Sequence, residues 1–246
     1  MSCLFTKAFT LEAMHTDCFG RAKPSALLYF AQEAAGAHCI QLGLDNDSLA
    51  DKNLFWAILR NRVQITRLPQ LGETITVKTW PMPTTRAAFP RAFAGYDEKG
   101  QLLFRCTSLW GLVNSQSRTM VLPGKSGIDL EGMLAGDELP APESIGIKEL
   151  EKTAHTYVGY NLLDQNFHMN NTRDLDWITD LLPSDFHRAH PVQGFTICYL
   201  FEVRENQEIT LKWQLFEDNS MQVDGYRPAE NDTAKPIRVF SAKVEF

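Results

Sequence analysis

The chain has 246 residues, of which 44% are hydrophobic and 22% are charged, a balance typical of globular proteins and not of disordered chains. There is no apolar run of about 18 residues and no basic and apolar leader, so neither a transmembrane helix nor a secretory signal is predicted. A formal charge of −6 argues against nucleic acid and anionic membranes as partners, and five scattered cysteines without a CxxC pair favour a reducing cytoplasm.

The first half of the chain is predicted to contain one long helix followed by strands. Apolar residues recur at three- and four-residue steps from Pro24 to about Leu42, the spacing of an amphipathic helix. Pro24 suits the first helical turn and Gly43 a C-terminal stop. Four β-rich segments divided by turn signals follow, at 56–68, 74–80, 87–97 and 102–113.

The second half repeats this order after a linker. The linker is rich in glycine, proline and acidic residues and has no hydrophobic period. A second helix is predicted from Asn170 to about Leu182, with Asn170 or Asn171 as its N-cap and Pro183 closing it. Further β-rich segments lie at 193–204, 208–217, 220–226 and 237–246.

Short sequence echoes indicate that one unit is duplicated. Asp17–Arg21 precedes the first helix as Asp164–His168 precedes the second, and Ile75–Lys78 echoes Ile209–Lys212. One helix wrapped by an antiparallel sheet leaves a strand edge open, which a second unit covers. The predicted fold is α+β, a tandem (double) hot-dog of two antiparallel sheets, each wrapped round a long helix. The predicted boundaries are 1–121 for the N-terminal hot-dog, 122–150 for the linker and 151–246 for the C-terminal hot-dog.

The densest polar cluster is DQNFHMNN at residues 164–171. In an extended lead-in to the second helix, Asp164, Asn166 and His168 would project to one side. A carboxylate, an amide and an imidazole beside the unpaired N–H groups of a helix end suit acyl transfer to water. The same residues are also common helix caps, and a metal site would need a further ligand. No phosphate loop or dinucleotide fingerprint occurs, so no cofactor and no metal are predicted.

The pattern D-x-N-x-H-x-N-N resembles the active-site signature of acyl-[acyl-carrier-protein] thioesterases, the plant and bacterial enzymes that end fatty-acid synthesis. The likeness extends to W…R…QI-x-R-x-P-x-x-G-E…TW between Trp56 and Trp80, and to T-I-x-Y-x-x-E at Thr196–Glu202. The catalytic set that the resemblance implies is Asp164, Asn166, His168 and Glu202.

The resemblance implies hydrolysis of a fatty acyl thioester by a single displacement. Helix-end amides near Asn170 and Asn171 are expected to help bind the carbonyl oxygen. Val203 stands where the family is described with a nucleophilic cysteine, so a thiol mechanism is rejected. Asp174 replaces a frequent tyrosine. Which of the two carboxylates is the general base is left open.

A local charge excess fits the carrier protein that the resemblance implies, which is acidic and bears the acyl chain on a phosphopantetheine arm. Residues 60–105 include eight basic and three acidic side chains, a net of +5. Arg86, Arg91 and Arg105 are therefore predicted to dock the carrier. The N-terminal unit, which has Arg21 in place of a histidine, is expected to shape the acyl tunnel and the docking surface.

Other functions of the same fold are kept as alternatives. An acyl-CoA thioesterase would use similar chemistry without a basic patch, and a non-catalytic acyl-sensing protein would not need the catalytic set. A dehydratase or hydratase is disfavoured because Phe167 replaces the proline of D-x-N-P-x-H and no H-F-P occurs. Acyl chain length and homodimer formation are left open.

Overall fold

The computed structural model describes residues 3–229 and 235–246. The chain divides into two compact units, Met1–Pro142 and Glu143–Phe246, so the boundary falls inside the predicted linker 122–150. No helix in the described part of the chain is long and apolar enough to span a membrane.

Each unit is an antiparallel sheet with helices. The first unit has strands β1 (Phe5–Thr10), β2 (Leu54–Ile65), β3 (Thr74–Pro81), β4 (Phe89–Tyr96), β5 (Leu102–Asn114) and β6 (Met120–Val121), and helices α1 (Pro24–Leu42) and α2 (Asn46–Ala50). The second unit has strands β7 (Lys152–Tyr157), β8 (Gly194–Tyr199), β9 (Glu208–Leu215), β10 (Ser220–Arg227) and β11 (Ile237–Glu245), and helices α3 (Asp174–Thr179) and α4 (Ser184–Ala189).

The strands of the two units follow the same order, which confirms the predicted duplication and the double hot-dog. In the first unit the order is β1-β3-β4-β5-β2, with β6 paired to β5, and in the second it is β7-β9-β10-β11-β8. The sequence echo falls on equivalent strands, because Thr76 pairs with Tyr96 and Thr210 pairs with Tyr226. Lys78 and Lys212, two residues further on, each lie over the ring of that tyrosine.

A close approach between strands also recurs in both units. A Cβ built on Gly95 would lie 2.2 Å from the Phe104 ring, and one on Gly225 would lie 2.2 Å from the Phe240 ring. The strand register shifts immediately after both glycines. Only glycine leaves room for the phenylalanine ring at this position, so both units pack a phenylalanine against a glycine in the same way.

The long first helix is confirmed. Pro24 is at its start, and Gly43 ends it in the left-handed region at φ 65°. Its apolar stripe is core, since Leu27, Phe30 and Ala34 are at most 1% exposed.

The long second helix is not formed, and the prediction is wrong on this point. α3 has only six residues, Asp174–Thr179. The Asn170 side-chain oxygen accepts hydrogen bonds from the backbone N–H of Thr172 at 3.0 Å and its hydroxyl at 2.8 Å, which fixes a turn where the helix was expected to begin. Pro183 was predicted to close this helix, but α3 already ends at Thr179 and Pro183 is instead the N-cap of α4.

The first part of the predicted linker is packed on the first unit. The Trp80 indole N–H donates to Glu138 Oε1 at 2.8 Å, and the Thr107 hydroxyl donates to the Leu139 carbonyl at 3.0 Å. All of β4 except its last residue is buried. Arg91 contacts His38 of α1, whereas Ala92 and Ala94 pack with Met133 of this segment, so the two faces of β4 are covered by different parts of the chain.

The last part of the linker is packed on the second unit in the same way. Gln222 on β10 donates to the Gly146 carbonyl at 3.0 Å, and Arg238 on β11 donates to the Ile145 carbonyl at 3.3 Å. The linker is therefore held by hydrogen bonds at both of its ends.

Candidate active site

The segment from Asp164 to His168 is a closed turn. Asp164 Oδ1 accepts hydrogen bonds from the backbone N–H groups of Asn166 at 2.8 Å and His168 at 3.2 Å, and the Asp164 N–H donates to the His168 carbonyl at 2.8 Å. Phe167 has φ 60°. The expected extended lead-in is wrong, because the carboxylate draws the following backbone N–H groups around itself.

The first unit contains the same turn, but a different side chain contacts the second oxygen of its aspartate. Asp17 Oδ1 accepts from the N–H groups of Phe19 and Arg21, both at 2.9 Å. Its other oxygen, Oδ2, is covered by the Arg21 guanidinium, with Nε at 3.0 Å and Nη2 at 2.9 Å. In the second unit the contact of Asp164 Oδ2 is the Asn166 amide nitrogen at 3.5 Å. The histidine thus replaces a cation that neutralises the equivalent carboxylate.

His168 and Glu202 are brought together. His168 Nε2 lies 3.2 Å from Glu202 Oε2, with 21% and 39% of the two side chains exposed. β8 ends at Tyr199, so Glu202 lies in the loop that follows and not on the predicted strand. Arg204, which was not among the predicted site residues, forms an isolated β-bridge with His168 and places Nη2 4.0 Å from Glu202 Oε2.

The first unit has no counterpart of this pair. Arg21 forms the matching bridge with Gln70, which makes Leu68 the counterpart of Glu202. Leu68 is only 8% exposed. The first unit therefore has arginine and a buried leucine where the second has histidine and glutamate.

The structure contradicts the oxyanion-binding role predicted for the Asn170 amide, but does not test the one predicted for Asn171. The Asn170 backbone N–H already donates to the Leu162 carbonyl at 2.8 Å, so it is not available to substrate. α3 begins only at Asp174, which moves the helix end away from this residue. The Asn171 carbonyl accepts from the Tyr199 hydroxyl at 2.6 Å. A role for the Asn171 amide stays a prediction.

The three arginines predicted to dock a carrier protein differ in their surroundings. Arg86 is exposed in the loop before β4, and Arg105 is half-buried on β5. Arg91 is only 6% exposed, and its Nη1 lies 3.0 Å from His38 Nδ1 and 3.2 Å from the Thr79 hydroxyl. The docking role predicted for Arg91 is wrong because β4 is buried on both faces.

No cysteine is adjacent to His168 or Glu202 in the sequence. The cysteine that precedes Glu202, Cys198, is buried in the second unit. Cys198 is 3% exposed, and its Sγ contacts the Glu143 carbonyl at 3.5 Å. Val203 is 7% exposed, and its carbonyl accepts from the Met169 N–H at 2.8 Å, which ties the turn to the Glu202 loop. In residues 3–229 and 235–246, no three His, Cys, Asp or Glu side chains are grouped to hold a metal ion.

Family models match most of the chain. The acyl-ACP thioesterase N-terminal domain matches residues 2–122, and the C-terminal domain of the same family matches residues 148–236. The chain belongs to the acyl-ACP thioesterase family. The second match contains both the Asp164 turn and the Glu202 loop.

Named relatives are plant enzymes of this family. The chain is 25% identical over 211 residues to a chloroplastic palmitoyl-acyl carrier protein thioesterase of Gossypium hirsutum, covering 80% of this chain and 51% of the relative. It is 26% identical over 216 residues to a chloroplastic dodecanoyl-[acyl-carrier-protein] hydrolase of Cinnamomum camphora, covering 80% and 55%. The chain thus spans about half the length of the curated relatives it matches.

Solved acyl-ACP thioesterases share the whole fold. One from Bacteroides thetaiotaomicron superposes with a TM-score of 0.88 at 24% identity and covers 100% of this chain and 99% of that one. The 12:0-ACP thioesterase of Umbellularia californica gives 0.81 at 21% identity, covering 100% and 97%.

Proposed function

We propose that this chain hydrolyses the thioester of fatty acyl-[acyl-carrier-protein] and releases the free fatty acid, which terminates fatty-acid synthesis. The observation that carries the proposal is the contact of His168 with Glu202 at 3.2 Å beside the Asp164 turn, in one of two otherwise matching loops. Family membership and the names of the plant relatives support the substrate class.

Asp164 acts as the general base. Its Oδ1 is anchored by two backbone N–H groups, which leaves Oδ2 as the oxygen that takes the proton of an attacking water. In the first unit Arg21 occupies the equivalent oxygen of Asp17, so the same turn offers no base there.

His168 acts as the proton donor to the leaving group. Glu202 Oε2 lies 3.2 Å from His168 Nε2 and holds the imidazole in place beside the Asp164 turn. Water forms the new C–O bond and gives its proton to Asp164, the C–S bond breaks, and His168 protonates the departing sulfur. The proton on Asp164 then returns to His168, and the products are a carboxylic acid and a thiol. The exposed amide of Asn166 donates to the developing oxyanion.

The carrier protein approaches the first unit through the exposed Arg86, since an acidic partner is steered by a local positive charge. Reaction in a reducing cytoplasm agrees with five free thiols. The hydrolytic residues all lie in the second unit, so the first unit contributes substrate binding and not chemistry.

The test is fatty-acid release from a ladder of acyl-carrier thioesters. Asp164→Asn keeps an oxygen for the two backbone hydrogen bonds but cannot accept a proton, so kcat should fall by about 10²–10³-fold, and His168→Ala by a similar factor. Glu202→Gln should cost only about tenfold, because the amide oxygen still accepts from the imidazole. Asp17→Asn, the matched change in the first unit, should stay within about twofold of native kcat.

Each alternative predicts a different result in the same assay. Near-native kcat in Asp164→Asn would contradict its role as base. Faster hydrolysis of CoA thioesters than of carrier thioesters would favour an acyl-CoA thioesterase. No release from any thioester by the native chain would favour non-catalytic acyl sensing.

A further inference from the structure

Phe167 combines two unfavourable features. Its φ of 60° lies in the left-handed region, where asparagine and glycine are tolerated but a bulky side chain is uncommon. The ring is also 78% exposed to solvent. A large apolar side chain that is both strained and exposed next to His168 suggests a contact made only with a ligand.

The first unit provides an internal comparison. Its matching turn has Gly20 at this position, with φ 74°. The short 3-10 turn just before it is Ala13–His15, and its counterpart in the second unit is Tyr160–Leu162. Glycine and alanine in the first unit thus correspond to Phe167 and Tyr160 in the unit that has the His168–Glu202 pair.

A surface groove adjoins this turn. It has a volume of about 340 Å³ and is lined by Tyr157, Gly159, Tyr160, Asn161 and Leu162. The Leu162 carbonyl accepts the Asn170 N–H at 2.8 Å, so this segment is hydrogen-bonded to the chain just beyond the turn. Tyr160 is 79% exposed.

We propose that Phe167 and Tyr160 form an aromatic contact for the pantetheine arm of the thioester substrate, and so determine specificity for the carrier side of the molecule. This inference rests on the proposed hydrolase function. The arm is uncharged over most of its length, with two amides and a geminal dimethyl group, and such a ligand suits exposed rings beside the Asn161 amide.

The arm is favoured over the acyl chain because of where Phe167 lies. A ring exposed to solvent is not part of a closed acyl tunnel. The arm begins at the sulfur, which must lie beside His168 when the thioester bond breaks. From this sulfur the arm runs outward to the carrier, so the exposed Phe167 ring next to His168 is placed to meet the dimethyl half of the arm.

The experiment compares three thioesters of the same acyl group in the full chain: on carrier protein, on pantetheine, and on N-acetylcysteamine, which lacks the dimethyl half of the arm. Phe167→Gly should raise KM about tenfold for the first two and less than about twofold for the third, with kcat retained. Its thermal midpoint should be unchanged or higher, because glycine relieves the backbone strain. Tyr160→Ala should likewise raise KM more for the carrier and pantetheine thioesters than for the N-acetylcysteamine thioester.

Met14→Ala is the control, since Met14 is 73% exposed on the corresponding turn of the first unit and should change no KM. Equal losses on all three thioesters would assign the ring to the acyl chain or the cysteamine part that they share, and a loss on carrier protein alone would assign it to the protein surface. Either outcome, or unchanged KM throughout, overturns the inference. Native activity on the three substrates tests the hydrolase function separately.

Discussion

Asp174 is a carboxyl group enclosed in the second unit. It begins α3 and is only 5% exposed. Burial raises the pKa of its carboxyl to about 8. The group is therefore neutral in the folded protein over a pH range in which it is ionised in the unfolded chain. In the family that the sequence resembles, tyrosine is frequent at this position. Its side chain is neutral at these pH values in the folded and in the unfolded chain.

The raised pKa makes stability depend on pH through Asp174. The unfolded carboxyl ionises near 3.8 and the folded one near 8, so its contribution to folding is most favourable below pH 4 and declines as pH rises to about 8. Asp174→Asn removes this decline and should raise the thermal midpoint at pH 8.5 by at least about 4 °C relative to the native chain. Thermal unfolding followed by circular dichroism from pH 5 to pH 8.5 measures the difference.

Asp176→Asn is the matched control on the same helix, since the Asp176 carboxylate is partly exposed and lies 3.2 Å from Arg173. It should leave the pH slope of the midpoint as in the native chain. Parallel slopes for native and Asp174→Asn protein would show that Asp174 is ionised in the folded state.

The sequence was sufficient to predict which residues form the active site, but not which of the predicted docking arginines are exposed to solvent. The sequence pointed to Asp164, His168 and Glu202, and the structure places His168 beside Glu202. Nothing in the sequence distinguishes the exposed Arg86 from the buried Arg91, because burial of β4 on both faces depends on a segment more than forty residues later in the chain.

At the level of elements, hydrophobic period predicted the strands well and the second helix poorly. α1 has a stripe long enough to bury a whole face, and Pro24 and Gly43 mark its ends. α3 keeps two buried apolar residues, Leu175 and Ile178, but the Asn170 turn shortens it from its N-terminal side. Local hydrogen bonds from an Asx side chain compete with helix formation, and periodicity does not record them.

The linker segment is an element whose stability is expected to depend on Glu138. Burial alone raises the pKa of this carboxyl, but hydrogen bonds from the Ala135 and Gly136 backbone and the Trp80 ring outweigh it and lower the pKa. Glu138→Ala should lower the free energy of unfolding by about 1–2 kcal/mol and speed proteolysis between residues 122 and 142. The contribution is present at neutral pH and is lost as pH falls through the lowered pKa.

Urea unfolding and a timed trypsin digest would measure these two effects. Glu131→Ala is the control, because Glu131 is exposed in the same segment. Equal cleavage rates for the two variants would contradict the role of Glu138 in holding the linker.

At the level of the whole molecule, the local charge excess is partly matched within the chain. The segment 60–105 has a net charge of +5 in a chain of net −6. Arg67 pairs with Glu73 at 2.9 Å and with Asp97 at 3.7 Å, and Arg91 is enclosed in the first unit. The surface charge available to an acidic partner is therefore smaller than the sequence total indicates, and Arg86 is its best-exposed member among the three predicted arginines.

Arg86→Glu should raise KM for acyl-carrier thioesters about three- to tenfold at low salt, because it reverses a charge that steers the acidic carrier. The effect should shrink at high ionic strength, where such charges are screened. KM for the N-acetylcysteamine thioester, which has no protein to steer, should not change. Lys52→Glu, an equal charge change at an exposed residue outside the segment, should leave all of these values near native. Equal rises for carrier and small thioesters would place Arg86 at the substrate and not at a docking surface.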